Sequence, residues 1–204
     1  MIKKVLCLAL LLAAAFCTVC QAAVTKSYDE KNSRAIIRTM DTKPAAEIDP
    51  ESLIITSMRK FYIFDSRGYD ASIGRYKPVN YFTIAIMGNG AEKFEKDMTY
   101  TINGTNYTLP MRVESKENNK KQTIQAAATH EFIASSNEPF IKALKDSKPI
   151  SITIHMKAKK GLDVLKYTIE GKVLQEMQQV VLYDLYSDEN FLNIAKKASQ
   201  KPMR

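Results

Sequence analysis

Met98-Thr99-Tyr100-Thr101-Ile102-Asn103-Gly104-Thr105-Asn106-Tyr107-Thr108-Leu109 is the stretch on which the fold class turns. Asn-Gly is the preferred pair for a two-residue type I′ turn, because both central residues need positive φ. A turn there fixes the register. Ile102 then faces Thr105, Tyr100 faces Tyr107 and Met98 faces Leu109, a mostly apolar set on one face. Thr101 meets Asn106 and Thr99 meets Thr108 on the other face, and these are polar. The alternation agrees with the turn on both arms, so the sequence predicts a β-hairpin with one buried side. Asn103-Gly104-Thr105 and Asn106-Tyr107-Thr108 also match the N-glycosylation pattern, and in this setting they read as turn and strand.

Working outward, more strands flank this hairpin. Leu53-Ile54-Ile55, Phe61-Tyr62-Ile63-Phe64 and Tyr81-Phe82-Thr83-Ile84-Ala85-Ile86-Met87 are β-branched and aromatic runs. Gly88-Asn89-Gly90 ends the last of them. Residues 123–134 alternate less cleanly and finish on Phe132-Ile133-Ala134. Ile150-Ser151-Ile152-Thr153-Ile154-His155-Met156 has strict period two, and Leu165-Lys166-Tyr167-Thr168-Ile169 returns after a turn at 157–163, so a second hairpin is predicted. Between them, Ser136-Asn137-Glu138-Pro139 reads as a helix start, with Phe140, Ile141, Ala143 and Leu144 as its apolar stripe. Val173, Leu174, Met177, Val180, Val181 and Leu185 recur at helix spacing. Ser187 or Asp188 can cap a last helix carrying Phe191, Leu192, Ile194, Ala195 and Ala198, and Lys196, Lys197, Lys201 and Arg204 suit the negative end of its dipole. The tyrosines and methionines fall mostly on apolar stripes and read as core.

Strands joined by hairpins outnumber helices. The predicted class is α+β: mainly an antiparallel β-sandwich or partly open barrel, with one internal helix and two C-terminal helices. The expected organisation is a signal peptide over 1–22, a polar leader over 23–50 with one edge strand at Ala35-Ile36-Ile37, and a single mostly-β domain over 51–204.

The address comes from the N-terminus. Met1-Ile2-Lys3-Lys4 is followed by uncharged residues 5–19 and then Cys20-Gln21-Ala22-Ala23. That is a positive n-region, an apolar h-region and a small-x-small cleavage site. The uncharged run is about as short as an anchor can be, since spanning takes roughly 20 apolar residues, so we expect cleavage and no transmembrane segment in the mature chain. Cys7, Cys17 and Cys20 are the only cysteines, and all precede the cleavage site. The mature domain thus has no thiol, no disulfide and no cysteine-ligated metal. Phe16 before Cys17 and Val19 before Cys20 are the wrong residues for a lipoprotein signal. An exported, cysteine-free domain of this size fits a bacterial envelope better than an animal secretory route, where disulfides are the rule. Loss of Lys3 and Lys4 lowers the formal net charge from +8 to +6. That is too mild for a nucleic-acid binder and compatible with another envelope protein, anionic lipid or glycan as partner.

The search for chemistry narrows quickly. His130-Glu131 opens like a zinc-protease motif, but Ala134 stands where the second histidine is required. His155 shares its strand face with Ser151 and Thr153, a face expected to be solvated. No Gly-x-Ser-x-Gly elbow, P-loop or dinucleotide fingerprint occurs, so no cofactor, metal or catalytic residue is assigned. The densest polar segment is Asp65-Ser66-Arg67-Gly68-Tyr69-Asp70, followed by Arg75-Tyr76-Lys77. Asp65, Arg67, Tyr69, Asp70, Arg75 and Tyr76 form the candidate binding set, because Arg and Tyr interleaved on a loop are what recognition surfaces use. The plain alternative is a charged connection between two strands; two aspartates alone do not supply a calcium loop. Two functional readings follow: a non-catalytic periplasmic binding or interaction module, and an envelope hydrolase with an unconventional site on His130 or His155. The processing expectation has a direct check. N-terminal sequencing of the protein from an envelope fraction should return Ala23 or Val24, and a retained Met1 would overturn it.

Overall fold

The computed structural model describes residues 23–48, 50, 52–88, 91–110, 112–118, 123–133, 138–158 and 161–199. The expected signal peptide over 1–22, Asn89-Gly90, Ala134, the expected helix start at Ser136-Asn137, and Lys201 and Arg204 lie outside the described residues.

Alternation of apolar and polar residues builds two antiparallel sheets. The larger has six strands: β1 (Thr25–Asp29), β2 (Arg34–Pro44), β3 (Leu53–Ile63), β6 (Pro78–Gly88), β10 (Thr123–Ile133) and β9 (Arg112–Asn118), side by side in that order. The smaller has four: β12 (Val164–Ile169), β11 (Ile150–Ala158), β7 (Ala91–Ile102) and β8 (Thr105–Pro110), again in spatial order. A two-stranded ribbon, β4 (Tyr69–Asp70) with β5 (Arg75–Tyr76), stands apart. Neither main sheet closes into a barrel. Three α-helices complete the described fold: α1 (Pro139–Lys145), α2 (Gly171–Leu182) and α3 (Glu189–Ser199). The molecule is therefore an α+β fold of mainly antiparallel strands with one internal and two C-terminal helices.

Period two decides which side of each strand is buried. On the large sheet Ala35, Ile37, Ile54, Met58, Tyr62, Phe82, Ile84 and Ile86 point into the core. Tyr100, Ile152, Ile154, Leu165, Tyr167 and Ile169 of the small sheet join the same cluster. Phe140 of α1 bridges the two sheets, with ring centroids 5.0 Å from Phe82 and 5.4 Å from Tyr100. The buried hydroxyls of Thr56 and Tyr167 lie 3.0 Å apart across the sheets. Helix α2 lays Leu174, Met177, Val180 and Val181 onto β2 and β3 from the same inner side. There the Thr39 hydroxyl donates to the buried Glu176 carboxylate at 3.1 Å.

The Asn103-Gly104 hairpin forms in the predicted register, with Ile102 opposite Thr105, Tyr100 opposite Tyr107 and Met98 opposite Leu109. Asn103 and Gly104 have φ of 50° and 79°, as a type I′ turn requires. The second hairpin also forms, as β11 with β12. Two apolar runs read separately, at 53–55 and 61–64, belong to one strand, β3, with Phe64 just past its end.

The polar leader resolves differently. Residues 25–29 are β1, the sheet edge, and 34–44 are β2, which pairs with β3 along its whole length inside the sheet. Ala45 and Ile48 are buried, and the Ala45 amide donates to the Ser52 carbonyl at 2.8 Å. A boundary at residue 50 thus cuts through the β2–β3 connection. The segment reads as polar because β2 presents Arg34 and Arg38 outward and hides Ala35, Ile37 and Thr39. In α3, Leu192 and Ala195 are buried while Ile194 is 59 % exposed, so the predicted stripe is narrower than it looked. Asp188 supplies the cap, accepting the Phe191 amide at 3.1 Å.

A side chain added at Gly104 would meet nothing within 4 Å, so its penalty is backbone strain alone. Gly104→Val should destabilise the protein by about 1–3 kcal/mol and lower its melting temperature by several degrees. An unchanged melting temperature would show that the turn does not hold the register.

Candidate functional site

The six loop residues singled out from sequence do come together, at one end of the large sheet. Backbone closure sets the frame: the Gly68 and Tyr69 amides donate to the Asp65 carbonyl, and the Lys77 amide donates to the Gly68 carbonyl at 2.8 Å. Gly68 is required here because any Cβ would collide with the Ile63 carbonyl oxygen. Asp65 accepts the Arg67 amide at 2.8 Å and Arg67 Nε at 3.0 Å, and these bonds hold its carboxyl below the usual carboxylate range. Asp70 accepts Lys77 Nζ at 2.6 Å, the Ser72 hydroxyl at 2.6 Å and the Ser72 amide at 2.9 Å. The Lys77 ammonium, then Ser72, pull the Asp70 carboxyl down to about 2.

The aromatics seat this ribbon on the body. Tyr69 meets Tyr76 edge-on at 5.2 Å, Tyr76 lies 4.7 Å from Phe64, and Phe64 is 6.1 Å from Tyr28. The Arg75 guanidinium covers the Tyr186 ring at 4.8 Å. The Tyr76 amide donates to the Tyr186 hydroxyl at 2.6 Å. Every charged member of the set therefore has a partner within the loop or on the 3-10 turn Leu185–Ser187. Tyr69 and Ile73, 48 % and 59 % exposed, protrude.

That turn is itself anchored by a polar contact that sequence reasoning did not single out. Lys60, on the inner side of β3, is 3 % exposed. Its ammonium donates to the Val181 carbonyl and, at 2.7 Å, to the Tyr183 carbonyl. The Tyr62 hydroxyl donates to the Tyr183 carbonyl at 3.1 Å and accepts the Leu185 amide at 3.3 Å. Two alternate residues of one strand thereby satisfy the carbonyls that the end of α2 leaves open, and the cation sits at the negative end of the helix dipole. Burial, and then Lys145, lower Lys60 to about 8 against the pull of Asp184.

A cleft of about 520 Å³ lies next to this turn and includes Lys26, Tyr183, Asp184 and Asp188 in its lining. Its two aspartates are engaged. Asp188 takes Lys26 Nζ at 2.6 Å and the Tyr183 hydroxyl at 2.9 Å besides capping α3, and Asp184 accepts the Tyr186 amide at 3.1 Å. Neither His155 nor the loop set is among its described lining residues. His130 stands opposite Phe82 in the large sheet, and His155 opposite Val164 in the small one. His155 is half-buried, flanked by the inward Ile154 and Met156. Among the described residues, no group of three or more His, Cys, Asp or Glu is placed to hold a metal ion.

The other feature missed from sequence is the outward face of the large sheet. Arg38 is the cross-strand partner of Arg59, and Arg59 of Tyr81; Ile36 is the partner of Phe61. Arg34 and Arg59 lie over the Phe61 ring at 4.7 and 5.9 Å, and Tyr81 meets that ring edge-on at 5.1 Å. Period two in 34–40 and 57–61 carried the signal, but only the strand pairing brings those positions together.

Compared with protein-family models, curated proteins and solved structures, the chain matches none of them.

The folded pKa of Lys60 lies below the ordinary lysine value, so between about 8 and the unfolded value near 10.5 the unfolded chain binds more protons. The Lys60 contribution to stability therefore rises with pH across that window. Denaturant midpoints measured from pH 7.5 to 9.5 should contain this rising component in the parent and lack it in Lys60→Met. At pH 7 that variant should lose about 1–3 kcal/mol through its unpaired carbonyls. Identical pH profiles would overturn the assignment.

Proposed function

We propose that this chain is an exported bacterial envelope protein that works in the periplasm as a non-catalytic interaction module. The observation that carries the reading is the open outward face of the six-stranded sheet. The inner face takes the small sheet and the helices. The outer positions of β2, β3 and β6 carry no described helix and no second sheet. Met40 and Leu53 stand there 49 % and 37 % exposed, and Ile36, Ile55, Tyr81 and Ala85 are half-buried. A broad, partly apolar face on a monomer marks an interaction site. The export setting rests on the N-terminal signal pattern and on a body free of cysteine.

The loop at 65–77 serves this reading less well, because four of its charges pair with one another, Asp65 with Arg67 and Asp70 with Lys77, and Arg75 is laid over the Tyr186 ring. The hydrolase alternative draws no support from the histidines, which stand in different sheets. Among the described residues, none of the side-chain hydrogen bonds or ion pairs involves His155.

The cysteine-free body allows a clean test. Single cysteines at Met40 (outer face of the large sheet) and Lys166 (exposed, on β12) should react equally with a maleimide in the purified protein. In intact cells with a permeabilised outer membrane, Met40→Cys should be protected several-fold relative to Lys166→Cys. Equal labelling of the two positions in cells would remove the open face as the working surface.

A further inference from the structure

We propose that the outward face of β2, β3 and β6 docks an acidic protein partner, whose carboxylates seat on the Arg34–Arg38–Arg59 cluster beside Phe61 and Tyr81. The inference rests on the interaction-module reading and names the chemistry of its partner.

The cations on this face are not an accident of composition. The chain holds seven arginines among its 30 basic residues. Three of the seven fall on the outer positions of two adjacent strands, where no lysine occurs. Arg38 and Arg59 are direct cross-strand partners, an arrangement that destabilises a sheet by like-charge repulsion. The repulsion is felt, since Arg34 and Arg38 both act to lower Arg59, after burial itself. Among the described side chains, neutralisation is partial: Asp29 accepts Arg34 Nε at 2.9 Å, and no described ion pair reaches Arg38 or Arg59. Arg59 gives one Nη to the Thr83 hydroxyl at 2.8 Å, while its Nε is buried without an acceptor.

The geometry favours a protein over a lipid surface. Arg59 is half-buried and lies over Phe61, so the ligand's anion must reach down between the rings. An Asp or Glu side chain does this, whereas a plane of headgroups reaches the protruding Arg38 more readily than the half-buried Arg59. Arginine, tyrosine, phenylalanine and methionine without lysine is also the residue choice of protein–protein interface cores. The planar fork of a guanidinium suits two-oxygen binding of a carboxylate.

The full mature chain is titrated with a fluorescein-labelled peptide of alternating Glu and Tyr, with a Lys-for-Glu version of it, and with vesicles containing phosphatidylglycerol. We expect the Glu peptide alone to bind, with affinity falling as salt is raised. Arg38→Gln, an exposed change, should weaken binding at least tenfold. Arg59→Lys should weaken it at least threefold although the charge is kept. A Lys166→Gln/Lys196→Gln control should stay within twofold, and melting temperatures should confirm that each variant is folded. Failure of the Glu peptide to bind, vesicle binding that depends on the same arginines, an unaffected Arg59→Lys, or equal weakening by the control would overturn the proposal. Protection of Met40→Cys in cells combined with any of these results removes the acidic partner and retains the interaction module; loss of that protection removes both.

Discussion

The Lys60 ammonium, sealed between β3 and the last turn of α2, is the contact on which the C-terminal part of the molecule depends. A buried cation is costly unless it is hydrogen-bonded, and here a pair of backbone carbonyls, those of Val181 and Tyr183, compensates it directly. The helix needs the same bond from its own side, because its final carbonyls have no partner within it. Each therefore fixes the other. Once Tyr183 is held, Tyr62 can take the Leu185 amide, and the 3-10 turn that follows is placed against the sheet. Tyr186 on that turn then receives the Tyr76 amide and lies under Arg75. The 65–77 ribbon is thus seated by a relay that begins with one lysine.

The same strand serves both faces. Its inward residues Ile54, Met58, Lys60 and Tyr62 commit it to the core and to α2, while Arg59 and Phe61 point the other way. Because strand residues alternate strictly, fixing the inner set leaves no freedom over where the outer set points. Arg59 is brought beside Arg38 by the pairing of β3 with β2, a juxtaposition that opposes stability. A stabilising sheet would place opposite charges or β-branched residues there. The repulsion between these two arginines is thus a cost that the sheet bears on its outer face.

Legibility from sequence followed the range of the interaction involved. The Asn103-Gly104 hairpin, the β11–β12 hairpin and the start of α1 at Pro139 were all readable, because each is specified by residues close in the chain. β2 was not. Its partner β3 lies beyond the connection at 45–52, and its inward set contains only Ala35, Ile37 and Thr39, too small and too mixed to stand out beside the outward Arg34 and Arg38. The loop set was legible as a cluster, since its members are neighbours in sequence. That Asp65 would pair with Arg67 and Asp70 with Lys77 was not, because the match needs the turn at Asp65 and the closure of Lys77 on Gly68.

The sequence by itself determined the alternation of each strand, the two tight turns, the helical stripes and the absence of cysteine from everything after residue 20. These are set by local backbone sterics and by the count of residue types. Only the tertiary structure decided that Lys60 would cap α2 across 121 residues of chain. Only it decided that Arg34 and Arg59 would crowd one ring with Arg38 alongside, and that His130 and His155 would stand in separate sheets. The physical reason is register. Side-chain neighbours across strands are chosen by hydrogen-bond pairing between distant segments, and that pairing is fixed by the burial of the whole inner face at once.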